Sequence, residues 1–140
     1  MTKHLSISKS SVIIMVLLTA VVALAGQYPA DIDIKPNSCP NAINPNSGGK
    51  IPVAVLGRSW FDVNWIDPTT VKFGGPGEPG TYAVHHAIKD VNEDGRMDMI
   101  FQFKTQETGI VAGDDWAWLY GVTWGGDYFY EEQAIETVPK

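Results

Sequence analysis

Residues 90–98 read Asp90-Val91-Asn92-Glu93-Asp94-Gly95-Arg96-Met97-Asp98. Oxygen-bearing side chains stand at the first, third, fifth and ninth places, and Arg96 offers its backbone carbonyl at the seventh, the spacing with which a short loop wraps a hard divalent cation. Gly95 supplies the sharp turn that closes such a loop, because it adopts left-handed backbone without steric cost. The chemistry is calcium ligation, with Asp90, Asn92, Asp94, Arg96 and Asp98 as the expected metal set. An EF-hand would place a bidentate Glu twelfth, where this chain has Phe101, and residues 97–104 alternate as a strand does. The loop therefore enters a sheet, and water or another segment must complete the shell. Glu107, Asp114 and Asp115 are the candidates. A plain polar turn also uses Asp, Asn and Gly, but has no reason to space four oxygen ligands this way.

The remaining reactive side chains form no catalytic constellation, and no enzyme is expected. Of three histidines, His4 precedes the apolar N-terminal run. His85 and His86 are neighbours, so on a strand they point to opposite faces and cannot chelate one metal. Serine elbows and glycine-rich phosphate loops are missing from the sequence, and Asp114-Asp115 and Glu131-Glu132 read as solvated surface acids. A single Cys39 has no internal disulfide partner, which leaves a small buried hydrophobe or an intermolecular link.

The elements that position the calcium loop are short β-type runs between Gly, Pro, Asn and Asp clusters, with no helical stripe among them. Ile32 and Ile34 alternate with Asp31, Asp33 and Lys35; Ile51, Val53 and Val55 alternate with Pro52, Ala54 and Leu56. Further runs cover residues 70–73, 82–88, 98–104, 116–124, 128–130 and 134–138. These make about seven to eight strands, and the fold class expected is all-β, an antiparallel sandwich. Gly125-Gly126 signals a tight hairpin, while residues 36–49 and 74–80 are loops rich in Pro, Gly and Asn.

Lys3 and Lys9 precede an uncharged apolar run, residues 12–24, that closes in Ala23-Leu24-Ala25. Residues 1–25 read as a secretory signal peptide, since the run falls short of the about 20 residues that a membrane helix needs. The whole chain of 140 residues carries a formal charge of −6, and every acid lies after residue 25. Such a surface repels nucleic acid and suits cations; neither a nucleic-acid partner nor a membrane span in the mature protein is expected. Residues 26–49 read as an extended N-terminal segment and residues 50–140 as the sandwich domain, large enough to bury a core without disulfides.

Several strings carry a family resemblance. Asp31-Ile32-Asp33-Ile34-Lys35-Pro36, Cys39-Pro40-Asn41, Ile43-Asn44-Pro45 and Ile51-Pro52-Val53-Ala54-Val55-Leu56-Gly57 resemble a module of secreted bacterial and archaeal proteins. Phe61-Asp62-Val63, Ile66-Asp67-Pro68-Thr69-Thr70-Val71, the calcium loop, Thr105-Gln106-Glu107-Thr108-Gly109-Ile110 and Gly113-Asp114 follow in the same order. The resemblance implies an immunoglobulin-like calcium-binding sandwich, often set beside adhesion or surface-layer modules; the calcium string is also similar to loops of dockerins and integrin propellers. Relatives commonly end in a Cys that would pair with Cys39, whereas this chain ends Val138-Pro139-Lys140, so the resemblance implies a free Cys39. Relatives also carry polar residues where this chain has Trp116, Trp118 and Tyr120.

On a strand Trp116, Trp118, Tyr120, Val122 and Trp124 share one face, with Ala117, Leu119, Gly121 and Thr123 on the other. These rings are either core or an exposed contact stripe for another copy or for the rings of a polysaccharide. Residues 31–35 form a short alternating run tethered by the loop 36–49, which extended would reach roughly 40 Å. Asp31, Ile32, Asp33, Ile34 and Lys35 could thus pair within their own sheet or be donated to a neighbour's. The expectation is a secreted structural protein at the cell surface or beyond it, a homo-oligomer or filament of identical subunits joined by donor strands and stabilised by calcium. The alternative is a glycan-binding module using Trp116, Trp118, Tyr120 and Trp124.

Overall fold

The computed structural model describes residues 27–139, so the expected signal peptide lies outside it. The strands are β1 (Gln27–Tyr28), β2 (Asp31–Ile34), β3 (Ala42–Ile43), β4 (Lys50–Leu56), β5 (Ile66–Gly74), β6 (Thr81–Tyr82), β7 (His85–Lys89), β8 (Asp98–Lys104), β9 (Trp116–Thr123), β10 (Tyr128–Ala134) and β11 (Glu136–Thr137). They form a five-stranded sheet in the order β1-β10-β9-β5-β6, a four-stranded sheet in the order β2-β4-β8-β7, and a two-stranded pair of β11 with β3. The architecture is an all-β, immunoglobulin-like sandwich. Among the described residues no helix is long and apolar enough to cross a membrane.

Alternation dictates the layers. In β9 the residues Ala117, Leu119, Gly121 and Thr123 are buried, while Trp116, Trp118, Tyr120 and Val122 stand half-buried on the outer face. Val53 and Val55 of β4 and Phe101 and Phe103 of β8 supply the opposite wall. Phe73 meets Phe103 with ring centroids 5.2 Å apart, and Phe61 meets the edge of Phe129 at 5.5 Å. Burying each such ring contributes about 1.5–3 kcal/mol. Gly121 makes room for Phe129 directly across the strand pair, for a Cβ there would come within 2.4 Å of Phe129 Cζ.

The two sides of the sandwich are closed by different devices. On one, the Gln133 amide of β10 accepts from Ile34 N–H at 2.7 Å and donates to Ile32 O at 3.1 Å, so β2 is held to both sheets. On the other, the chain crosses between sheets: Ala83 N–H donates to Val71 O at 3.2 Å and Val84 N–H to Gln102 O at 2.8 Å. The described part of residues 26–49 is built into the body, as Ile32, Ile34 and Ile43 belong to the main core.

Several expected runs divide differently. Residues 82–88 are split between β6 and β7, which belong to different sheets. The run 116–124 stops at Thr123, because Trp124, Gly125 and Gly126 form the hairpin turn: Thr123 N–H donates to Asp127 O at 2.8 Å, and Gly126 has φ +90. Two short pairs, β1 with β10 and β11 with β3, are parallel. β1 sits beside Tyr128 at the end of the sandwich that carries the 90–98 loop; β11 sits beside β3 at the far end.

Candidate metal centre

The 90–98 loop connects β7 to β8, whose residues Lys89 and Asp98 face one another across the strand pair. Glu93 and Gly95 both adopt positive φ, 57 and 87, and so fold the loop back on itself. Asp90 gathers the turn, with Oδ1 accepting from Asp94 N–H at 3.2 Å and Oδ2 from Gly95 N–H at 2.9 Å. Asp94 Oδ1 accepts from Arg96 N–H at 2.8 Å. That N–H holds the Asp94 carboxyl below its ordinary value, with the Arg58 charge acting in the same direction.

The Asn92 side chain sits between the two carboxylates. With its nitrogen turned toward them, the amide donates to Asp90 Oδ1 at 3.0 Å and to Asp94 Oδ1 at 3.1 Å, which closes the turn by hydrogen bonds of the chain itself. Asp90, Asn92 and Asp94 are the oxygen-bearing side chains gathered in this loop, the donor chemistry that a hard cation would take.

Asp98 does something else. It is fully buried, and its oxygens accept from Gly57 N–H at 2.7 Å and Val91 N–H at 2.9 Å. The chain packs so closely here that a Cβ on Gly57 would come within 2.1 Å of Met97 O. Asp98 thus clamps the loop to the end of β4 rather than presenting free oxygens. Burial first, and the Asp98 charge second, push the Asp33 carboxyl above its ordinary value. Among the described residues no three His, Cys, Asp or Glu side chains converge as a metal site.

The additional candidates do not join it. Glu107 lies in the turn Thr105–Glu107 beyond the far end of β8, roughly 20 Å along the strand from the loop. Asp114 lies against Gly75 and Ile110 at that same end, where its Oδ2 accepts from Val111 N–H at 2.8 Å, and Asp115 O accepts from Ile135 N–H at 3.0 Å. Adjacency in the chain after β8 is what separates them from a loop that precedes it.

The aromatic residues fall into two groups. Trp118 stacks on Tyr130 at 6.1 Å and 18°, and Tyr120 on Tyr128 at 6.1 Å and 27°. The Trp118 indole N–H donates to Gly75 O at 2.9 Å. Trp116, Trp118 and Tyr120 thus share the outer face of β9, and at least Trp118 is pinned there by the fold. Lys72, opposite Tyr120, sits over the Tyr82 ring at 5.1 Å and adds a charged group to this surface. Burial, then a hydrogen bond of 2.9 Å to Glu132, raise the Tyr130 hydroxyl to about 12.

Trp124 belongs elsewhere: its backbone N–H donates to Trp65 O at 2.8 Å, at the loop end of the sandwich. Trp60 and Trp65 are also largely exposed there. Neither was singled out by alternation, since both lie between β4 and β5 where no strand period assigns a face; the clustering of Trp60, Phe61 and Trp65 in one short connection was the available signal. Cys39 is exposed in the turn before β3, so the buried alternative does not apply. His85 and His86 are exposed on β7, with the His86 ring 6.2 Å from Phe101. Residues 31–34 pair with β4 of their own chain, from Asp31 opposite Leu56 to Ile34 opposite Val53.

Compared with known protein families, with curated proteins and with solved structures, the chain matches none.

Proposed function

We propose that this is a secreted structural protein, a subunit of an extracellular filament or surface assembly, with calcium fixing the 90–98 loop. The observation that carries the reading is the outer edge of β7. This strand ends the four-stranded sheet and is exposed along its whole length. Val84 and Ile88 lie on the same side as His86, which faces the core residue Phe101, yet they remain 47% and 46% exposed because the facing sheet ends nearby in the two-residue β6. An uncovered strand edge with apolar side chains is a template for a strand from another molecule.

Donation by residues 31–35 is the second element. In one chain β2 pairs with its own β4; exchange would keep every one of those contacts and place them between subunits, with residues 36–49 as the tether. The resemblance to secreted calcium-binding modules and the apolar leader support export and a role in contact instead of turnover. Calcium would couple to assembly by rigidifying the loop that sets where β7 ends and β8 begins.

The test is electron microscopy and light scattering of the purified chain, with and without calcium. Fibres or large oligomers are expected for the native chain, and dispersed, folded particles for Val84→Lys with Ile88→Lys. A native chain that stays monomeric at high concentration in calcium overturns the reading, as does assembly undiminished by the double substitution.

A further inference from the structure

The cleft between Trp65 and Trp124 lies at the loop end, on different elements from the β7 edge. It measures about 250 Å³ and is lined by Tyr28, Asn64, Trp65, Thr123, Trp124 and Asp127. Trp124 is 68% exposed and Trp65 43%, the latter braced by Tyr28 at 5.8 Å and Phe61 at 5.9 Å between ring centroids. A brace of this kind holds one indole still while the other stands on a glycine turn. Both are large apolar faces left in water, which marks a surface built for contact.

We infer that this cleft binds a neutral polysaccharide, stacking one sugar ring against the indoles of Trp65 and Trp124 while Asp127 accepts hydrogen bonds from its hydroxyls. The polar inventory decides the occupant. Among the described residues the indole N–H groups of Trp65 and Trp124 have no acceptor and the Asp127 carboxylate has no donor, in contrast to Trp118, whose N–H is taken by Gly75 O. Free donors and a free anionic acceptor beside flat apolar faces match a ring that is apolar on its C–H face and alternately donates and accepts around its rim. The cleft has no Lys, Arg or His among its lining residues, so its charge is uncompensated and disfavours an acidic polysaccharide. The site is separate from the Trp116–Trp118–Tyr120 surface, where Trp118 and Tyr120 stack on neighbouring rings.

The experiment titrates the full-length chain in calcium with cellohexaose, mannohexaose and chitohexaose, followed by indole fluorescence and calorimetry. Oligogalacturonate and a proline-rich peptide serve as acidic and peptide comparators. At least one neutral oligosaccharide is expected to shift the indole emission and bind. Trp124→Ala should weaken that binding about tenfold or more, and Asp127→Asn should weaken it by several-fold. Both residues lie on the exposed side of the turn, so their variants should fold; Tyr82→Ala, on the outer face of β6, should bind as the native chain does. Failure of all three neutral probes overturns the inference. So does binding that Trp124→Ala leaves intact, or tighter binding of the acidic oligomer or the peptide. Assembly is read separately by light scattering.

Discussion

Asp98 Oδ1 accepts the backbone N–H of Gly57 at 2.7 Å, so the carboxylate that closes the 90–98 loop also fastens that loop to the end of β4. Its partner oxygen takes Val91 N–H at 2.9 Å, and Asp98 is fully buried. Loop anchoring thereby falls to the last residue of the motif, which leaves Asp90, Asn92 and Asp94 as the side-chain oxygens for the proposed cation.

That division separates two substitutions. Asp98→Ala leaves two N–H groups without an acceptor, at about 1–3 kcal/mol each, and should lower the unfolding free energy with or without calcium. Asp90→Ala should remove the calcium-dependent increment, about 2.7 kcal/mol at free calcium a hundredfold above Kd, with a smaller calcium-independent loss because the Asp94 and Gly95 N–H groups it holds are exposed to water. Thermal melts of both variants in calcium and in chelator check this; an equal response of both to chelator contradicts it.

Gly121→Ala should destabilise by about 1–3 kcal/mol, because the added methyl meets the Phe129 ring at 2.4 Å and Val71 Cγ2 at 3.0 Å. Denaturant unfolding at constant m-value is the measurement. Phe129→Leu combined with Gly121→Ala should recover part of the loss, since the clash is with the ring.

Tyr130 should titrate above the ordinary tyrosine value. Its folded value of about 12 lies above the ordinary 10.0, so the stability it contributes is complete below the ordinary value and is lost as pH rises through about 12. Near-ultraviolet absorbance of tyrosinate should show a late class that Tyr130→Phe removes and Glu132→Gln moves to lower pH.

Gln133→Leu should loosen β2 without disturbing the core. The amide is the bridge from β10 to Ile32 O and Ile34 N–H, so amide hydrogen exchange should quicken at Ile34 while residues 99–103 keep their protection. If residues 31–35 are exchanged between subunits, this variant should also alter the rate at which chains assemble; deletion of residues 27–35 should abolish assembly.

Much of the sandwich was legible because β9 alternates along its whole length and β8 from Met99 onward, so burial of one face follows from a period of two; β4 is buried on both faces from Val53 to Leu56. β1, β3, β6 and β11 were not legible as such, for a two-residue strand contains no period; tertiary pairing alone defines them. Parity also misled at Trp124, where the hairpin begins one residue before the glycine pair suggests. In the loop, sequence could propose four oxygen ligands but could not show that Asp98 is drawn inward by Gly57 and Val91 N–H groups. Trp65 belonged to no period, and its meeting with Trp124 depends on the register of β5 with β9, where Ile66 faces Thr123.

β1 runs parallel to β10 at the loop end, and β11 runs parallel to β3 at the far end. The first and last described strands thus hold opposite ends of the sandwich through hydrogen bonds that lie across the strand direction. If subunits are joined as proposed, tension passed between them through these strands would load those bonds together in shear instead of peeling them singly.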